Sequence, residues 1–467
     1  MADIIMTRSK PKNRPVPEVK TRPPRSDPPP LTVQHPHAAG IDIHSDNHVV
    51  CVGPGLVKTF GAYTANLHDI MAHLREHGID TVAMESTGVY WIPLFELLEQ
   101  NGFECRLVEP GQLNNCGARP KTDILDCQWI QRLHAYGLLK GSFRPPESVR
   151  ALRGYHRQRQ TLIRYSASHV QHMQKALEQM NVKLTEVLAD IAGVTGLAII
   201  DAVLQGQRDP KSLAGLASPK CAKSRDEFAL ALEGVWQPEH LFGLRQSREL
   251  FRFHQQLIDE CDGLIAAELD HLPDRSGDQP DPKRTRPRGR KKNDLRFDAL
   301  GPLFQAIGVD LTAIEGIDVG TALVVLAEIG MDVSRFPTEK AFAAWLGLCP
   351  GQSQSNRTVK KKSPRKGKNR LARQLRMCAQ AVGRTDTPLG MFYRRIRGRI
   401  GGRGAITATA HKLAGLIWRM LRHGREYARK GMEEYAAKMR EQAEKHLRKK
   451  AAQLGYELTP RPEPAAA

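Results

Sequence analysis

Between residues 38 and 145 the apolar residues fall into short runs separated by turn residues, and the order of those runs restricts the fold more than any other feature of the chain. "AAGIDIHSDNHVVCVG" reads as a strand, a polar turn at HSDN and a second strand, because alternating and β-branched residues flank the turn. "LVKTFGAY" follows as a third strand. "NLHDIMAHLREHG" has helical spacing at Leu67, Ile70, Met71 and Leu74 and stops at Gly78. "DTVAMEST" is a short apolar strand, "VYWIPLFELLEQNG" a helix ending in Asn-Gly, and "FECRLVEP" another strand. A last helix carries "KTDILDCQWI" and runs to about Leu139. The order β-β-β-α-β-α-β-α predicts an α/β domain over 38–145.

Beyond Pro145 the pattern turns helical. "ESVRALRGYHRQRQTLIRYSASHVQHMQKALEQMN" combines long polar and basic faces with a thin apolar stripe, which suits a helical hairpin or coiled coil. "DRSGDQPDPKRTRPRGRKKNDLR" (274–296) is a basic linker bearing Pro and Gly, expected to be disordered when free. A second domain begins near 301, where "LTAIEGIDVGTALVVLAEIG" reads as a helix, a glycine-flanked turn and a helix. The segment from Ala405 to about Tyr456 reads as one long basic helix. The expected organisation is a disordered basic tail (1–37), the α/β domain (38–145), a helical or coiled-coil region (146–273), the basic linker (274–300), a mainly α C-terminal domain (301–425) and a basic helical tail (426–467).

A net charge of +20 over 467 residues points to a polyanionic partner, of which nucleic acid is the commonest. No apolar run is long enough to span a membrane. The N-terminus lacks the apolar stretch of a signal peptide. The eight cysteines are scattered with no CxxC pair, so neither a zinc site nor a disulfide framework is indicated, and reduced thiols in a cytosol are expected.

Four carboxylates stand out. Asp42 lies mid-strand between two isoleucines, where a charge is costly to bury without a partner. Glu85 ends the fourth strand among small residues. Asp123 and Asp126 lie three apart, on one helical face, where like charges repel. Singly, each has a plainer reading as a turn, cap or solvated residue. An acid on a central strand, another ending a neighbouring strand and two on a following helix can nevertheless converge. Four such carboxylates stay ionised together only with cations, and two magnesium ions roughly 3.5–4 Å apart resolve the repulsion. Histidines 44, 48, 134 and 411 are read as structural, although His44 shares the strand face of Asp42 and is within reach of the metal site.

The order of elements and the placement of these acids resemble a ribonuclease-H-type fold of the RuvC resolvase kind. "GIDIHSDNHVVCV", "AMESTGVYWIPLFELLEQNGFECRLVEPG" and "RPKTDILDCQWIQRLHAYGLL" resemble the DEDD transposases of insertion sequences, the one-ten family, with similarity from about 38 to 425. The resemblance implies that Asp42, Glu85, Asp123 and Asp126 hold a divalent metal, Mg2+ or Mn2+. "GLCPGQSQSNRTVKKKSPRKGKNRLARQLRMCAQA" resembles the family's second hallmark, a proline-containing stretch followed by a serine, a basic loop and a basic helix. The family serine attacks a DNA phosphodiester and becomes covalently linked to DNA. Matched from "LGLCP", Ser355 falls at that position. Asn356 and Arg357 follow it where the family commonly has glycines, which leaves Ser353 as an alternative and Ser363 as a more distant one.

A serine hydroxyl needs a base or metal to activate it. No Asp or Glu lies between Glu339 and Asp386, and Arg357, Lys360, Lys361, Lys362, Arg365, Lys366, Lys368 and Arg370 suit phosphate binding rather than base catalysis. The metal held by the first domain is the expected activator, in a composite site. "AIEGIDVGTALVVLAEIG" resembles a helix-hairpin-helix whose turn offers backbone N–H groups to phosphate, with an ordinary capped hairpin as the alternative. The leading expectation is a transposase acting on donor and target DNA. The resemblance further implies guidance by a structured non-coding RNA and a homodimeric or homotetrameric assembly. It places the protein in a bacterial cytoplasm at the nucleoid. The alternatives are a metal-dependent RuvC-like junction nuclease that uses water, and a non-catalytic nucleic-acid scaffold, against which the intact acids argue.

Overall fold

The computed structural model describes residues 32–114, 122–277, 279, 282, 292–349, 351–355, 358–362 and 369–457. The chain divides into two compact units, Met1–Phe143 and Arg144–Ala467. The expected N-terminal tail falls almost entirely outside the described residues, as does the middle of the basic linker.

The first unit is built on strands β1 (Ala38–Ile43), β2 (Asn47–Gly53), β3 (Leu56–Gly61), β4 (Thr81–Glu85) and β5 (Glu104–Val108). They form one mixed sheet in the order β3-β2-β1-β4-β5. β1, β2 and β3 pair antiparallel through short turns, whereas β4 and β5 join parallel to β1 and to each other. Parallel pairing demands crossovers. Helix α1 (Thr64–Glu76) follows β3 and precedes β4, and α2 (Trp91–Gln100) connects β4 to β5. The short α3 (Pro110–Asn114) and then α4 (Asp123–Ala135) follow β5. β1 is buried along its whole length, as expected for a central strand covered on both faces.

Alternation along the strands divides the sheet into two faces. Ile41, Ile43, Val50, Val82 and Met84 pack with Leu67, Ile70 and Leu74 of α1 and Leu94 and Leu98 of α2. On the other face Ala83 and Val108 meet Ile130 and Leu133 of α4, while Val49 and Cys51 meet Cys127. α4 ends at Ala135, four residues before the expected Leu139.

In the second unit, α5 (Arg150–Gln179) and α10 (Pro238–Asp270) run antiparallel, with Arg159 beside Asp262 and Ser166 beside Gln255. Between them lie the short helices α6 (Leu184–Val187), α7 (Val194–Leu204), α8 (Pro210–Gly215) and α9 (Arg225–Ala231). Their Ile199, Ile200, Leu213 and Phe228 form one core with Met173, Leu177, Leu244 and Phe251 of the long helices. The Arg159 guanidinium also donates to the Asn293 and Asp294 carbonyls, anchoring the chain where it leaves the linker.

The remaining helices are α11 (Leu300–Ile307), α12 (Val319–Ile329), α13 (Glu339–Trp345), α14 (Arg370–Val382) and α15 (Pro388–Gln453). α12 is buried continuously from Thr321 to Ile329. The first of the two helices expected around the Gly-Ile-Asp-Val-Gly turn is a single 3-10 turn, Leu311–Ala313. α15 begins at Pro388 rather than Ala405 and is broken at Gly401 and Gly424, where φ is 78° and 80°. Only glycine adopts such values freely, and periodicity does not reveal them. Between α13 and α14 the expected basic loop contains an antiparallel pair, β6 (Gly351–Ser355) and β7 (Thr358–Lys362).

Candidate metal centre and serine hairpin

The sheet face against α4 carries the acids of the first unit. Gly40 and Asp42 alternate onto that face of β1, and Thr81, Ala83 and Glu85 onto that face of β4. Ile41 and Met84 are paired across the parallel β1–β4 ladder, so Asp42 and Glu85 lie one step further along neighbouring strands. α4 approaches closely because residue 40 is glycine: a Cβ there would stand 2.2 Å from the Gln131 backbone N and 2.4 Å from the Cys127 carbonyl oxygen. The Gln131 side-chain amide donates to the Ala38 carbonyl at 3.2 Å, fixing the height of the helix on the strand.

The start of α4 is set locally. Thr122 is its N-cap and accepts from the Leu125 N–H at 3.3 Å. Asp123 and Asp126 therefore fall in the first turn, where unpaired N–H groups stabilise negative charge. Asp123 is exposed and Asp126 half-buried, whereas Asp42 is only 5% exposed. Burial pushes the Asp42 carboxyl above its ordinary range; His44 opposes that shift, and the charges of Asp126 and Asp123 add to it. Both α4 acids therefore act on Asp42 through their charge.

His44, read from sequence as structural, bridges two of the predicted acids. Its Nε2 lies 3.3 Å from Asp42 Oδ2 and 3.5 Å from Asp123 Oδ1. Asp42, His44 and Asp123 offer ligand atoms that all lie within 4.8 Å of one another. Asp126 and Glu85 are outside that tight group; both are half-buried, and Glu85 occupies the end of β4. The sequence signal for His44 is its position two residues beyond Asp42, on the same side of the chain.

The other histidines differ in setting. His134 is fully buried, and its Nε2 is 2.9 Å from Thr81 Oγ1. Thr81 spends its only proton on the Glu104 carbonyl, so His134 is the donor in that pair. His48 is buried on β2, and burial lowers its pKa. His411 is half-buried on α15, where burial also outweighs the pull of Glu339.

In the second unit Ser353 and Ser355 lie in β6, with Ser353 opposite Lys360 and Ser355 opposite Thr358; Lys361 and Lys362 continue β7. Arg357, Ser363, Arg365, Lys366 and Lys368 lie outside the described residues. Arg370 opens α14 after the Asn369 N-cap, which accepts from the Ala372 N–H at 3.0 Å. Among the described residues no helix is long and apolar enough to cross a membrane.

Comparison with known proteins finds family matches in both units. A DEDD transposase family model of the IS110 type matches residues 39–182, a span that contains all four acids. A second model, that of the transposase IS116/IS110/IS902 family, matches residues 310–394 and contains both β6 serines. No curated protein matches the chain. With the two models of one transposase family matched in succession along it, the chain belongs to the IS110 family of DEDD transposases and is a DNA transposase.

Proposed function

We propose that the protein moves an insertion sequence by cutting and rejoining DNA strands, with Asp42, Glu85, Asp123 and Asp126 holding Mg2+ or Mn2+ and Ser355 serving as the nucleophile. The observation that carries this reading is the placement of Asp42 and Glu85 on the sheet face covered by α4, the helix whose first turn bears Asp123 and Asp126. Three antiparallel strands followed by two parallel ones, with the acids on the α4 face, support assignment of the first unit to the ribonuclease H and RuvC type.

The donor set fits hard divalent cations. It consists of carboxylate oxygens, with one imidazole within reach, and one carboxylate is buried in a setting that disfavours its charge. When bound, such cations supply charge neutralisation and activation of the attacking oxygen. Asp42 is the rigid anchor of the group, because its strand is buried on both sides. Asp123 and Asp126 sit at a helix end that faces solvent. His44 Nε2, 3.3 Å from Asp42 Oδ2 and 3.5 Å from Asp123 Oδ1, is placed to orient these two carboxylates.

The Ser355 hydroxyl attacks a DNA phosphodiester, so a serine–phosphate ester forms as the strand's P–O bond breaks and the leaving strand takes a proton. The number of phosphodiester bonds is conserved, and rejoining needs no external energy. Lys360, Lys361, Lys362 and the cations around them hold backbone phosphates of donor and target DNA. A structured guide RNA and a homodimer or homotetramer complete the reading. In domain terms, 38–145 carries the acids, 146–273 is the helical or coiled-coil region and 301–425 carries the serine.

Trapping the protein on DNA and mapping the modified peptide tests this. Ser355→Ala should bind DNA yet yield no covalent adduct, and Asp126→Ala should also bind and fail to cleave, since binding rests on Lys and Arg. An adduct on Ser353 moves the nucleophile by two residues. Active wild-type protein that never forms an adduct replaces the serine mechanism with water-mediated junction cleavage.

A further inference from the structure

The C-terminal turn of α1 carries "HLREH", residues 73–77, with His73, Glu76 and His77 at helical positions i, i+3 and i+4. That spacing places all three side chains on one face. Their ligand atoms lie within 4.8 Å of one another, and His73 Nδ1 is 3.9 Å from Glu76 Oε2. The imidazole rings of His73 and His77 are 4.4 Å apart, edge to face. His77 Nδ1 is 2.9 Å from the His73 carbonyl oxygen. A carbonyl only accepts, so Nδ1 carries the proton and Nε2 keeps its lone pair. Metal-binding histidines are commonly oriented by such a bond from the other ring nitrogen to a backbone carbonyl, which leaves Nε2 of His77 as its available ligand atom. Phe60 packs against His73 at 5.5 Å between ring centroids and restricts its rotation.

We infer that His73, Glu76 and His77 form a second metal site, for a borderline cation of the Zn2+ type, on the opposite sheet face from the four acids. Leu67, Ile70 and Leu74 of the same helix belong to the core on the β1 face bearing Ile41 and Ile43, whereas Asp42 faces α4. Two imidazoles and one carboxylate suit Zn2+ and not Mg2+, which takes oxygen ligands. Three protein ligands leave a fourth tetrahedral position to water. Glu76 and His77 are exposed and His73 is half-buried, so the ion has direct access and small side-chain rotations close the ligand set around it. Lys58 is the neighbouring cation that opposes binding; its ammonium lies over the Phe60 ring, 4.9 Å from the centroid, and the Glu76 carboxylate offsets it. A bound ion links His77, the C-cap, back to His73 and locks the last turn of α1.

This site is independent of the proposed catalytic reaction, and its test is a binding measurement. The full chain carrying Asp42→Asn, in excess Mg2+, is titrated with Zn2+ against a chromophoric chelator. One Zn2+ equivalent should compete with the chelator. His73→Ala and His77→Ala in the same background should each weaken it by more than the roughly 10–100-fold typical of losing an outer-shell partner. Glu76→Gln, an exposed and nearly isosteric change that leaves folding intact, should weaken it less. Co2+ in place of Zn2+ should give the intense visible absorption of a tetrahedral site, lost in His77→Ala. Zn2+ affinity that is unchanged in folded His77→Ala and Glu76→Gln proteins, or absent altogether, overturns the assignment.

Discussion

Replacing Gly40 by alanine should separate the acids without touching any of them. The added Cβ would lie 2.2 Å from Gln131 N, 2.4 Å from the Cys127 carbonyl oxygen and 2.7 Å from Gln131 Cα. All three are backbone atoms of α4, so no side-chain rotation relieves the overlap. Reaching an ordinary 3.4 Å contact from 2.2 Å requires about 1.2 Å of movement between helix and strand. Overpacking of this kind costs about 1–3 kcal/mol, which lowers the melting temperature of a domain of this size by roughly 4 °C per kcal/mol. The larger effect falls on chemistry. Asp123 and Asp126 ride on α4 while Asp42 stays with β1, and a misplacement near 1 Å costs on the order of 100-fold in rate. Gly53→Ala is the matched control, because its Cβ would meet only Leu56 Cδ1 at 3.8 Å. The assay is Mg2+-dependent strand cleavage beside thermal melting of both variants. Wild-type cleavage and melting in Gly40→Ala would refute the close packing of α4 on β1 as the device that assembles the acids.

Acid should weaken each unit through a buried histidine. Burial is the main cause that lowers the pKa of His134, and of His156 in α5, to about 4 from an ordinary 6.5. The fold favours the neutral ring, so this stability is fully present above pH 6.5 and is lost as pH falls towards 4. At about 1.4 kcal/mol per pH unit, each site loses up to about 3 kcal/mol, measurable as a pH-dependent denaturation midpoint. His134→Gln should flatten that dependence for the first unit, and an unchanged slope would assign it elsewhere. Glu328 of α12 is buried, with Arg157 Nη2 at 2.7 Å and Arg153 Nη2 at 3.2 Å, and ties α5 to α12. Glu328→Gln leaves two partly buried guanidiniums without their countercharge and should destabilise the second unit by about 3 kcal/mol in urea unfolding; a loss below about 0.5 kcal/mol would show that solvent already compensates them.

Local pattern determined the element order, the central position of Asp42 on an apolar strand, and the pairing of Asp123 with Asp126 on one helical face. Each of these depends on residues within one turn or one strand, which is the range over which periodicity and capping act. Glycine breaks were less legible. "RIGGRG" and "RHGRE" sit inside helical spacing, and only the backbone reveals that Gly401 and Gly424 leave the helix. The pairing of β6 with β7 was likewise invisible in a run of Ser, Gln and Lys without apolar alternation. Tertiary structure alone decided which sheet face α4 covers, and with it which acids meet. That choice rests on contact between residues far apart in sequence: Gly40 against Cys127 and Gln131, and His44 against Asp123. The glycine in "AAGIDI" was visible in the sequence, but its function was not, because the lack of a side chain acquires meaning only from the backbone that fills the space.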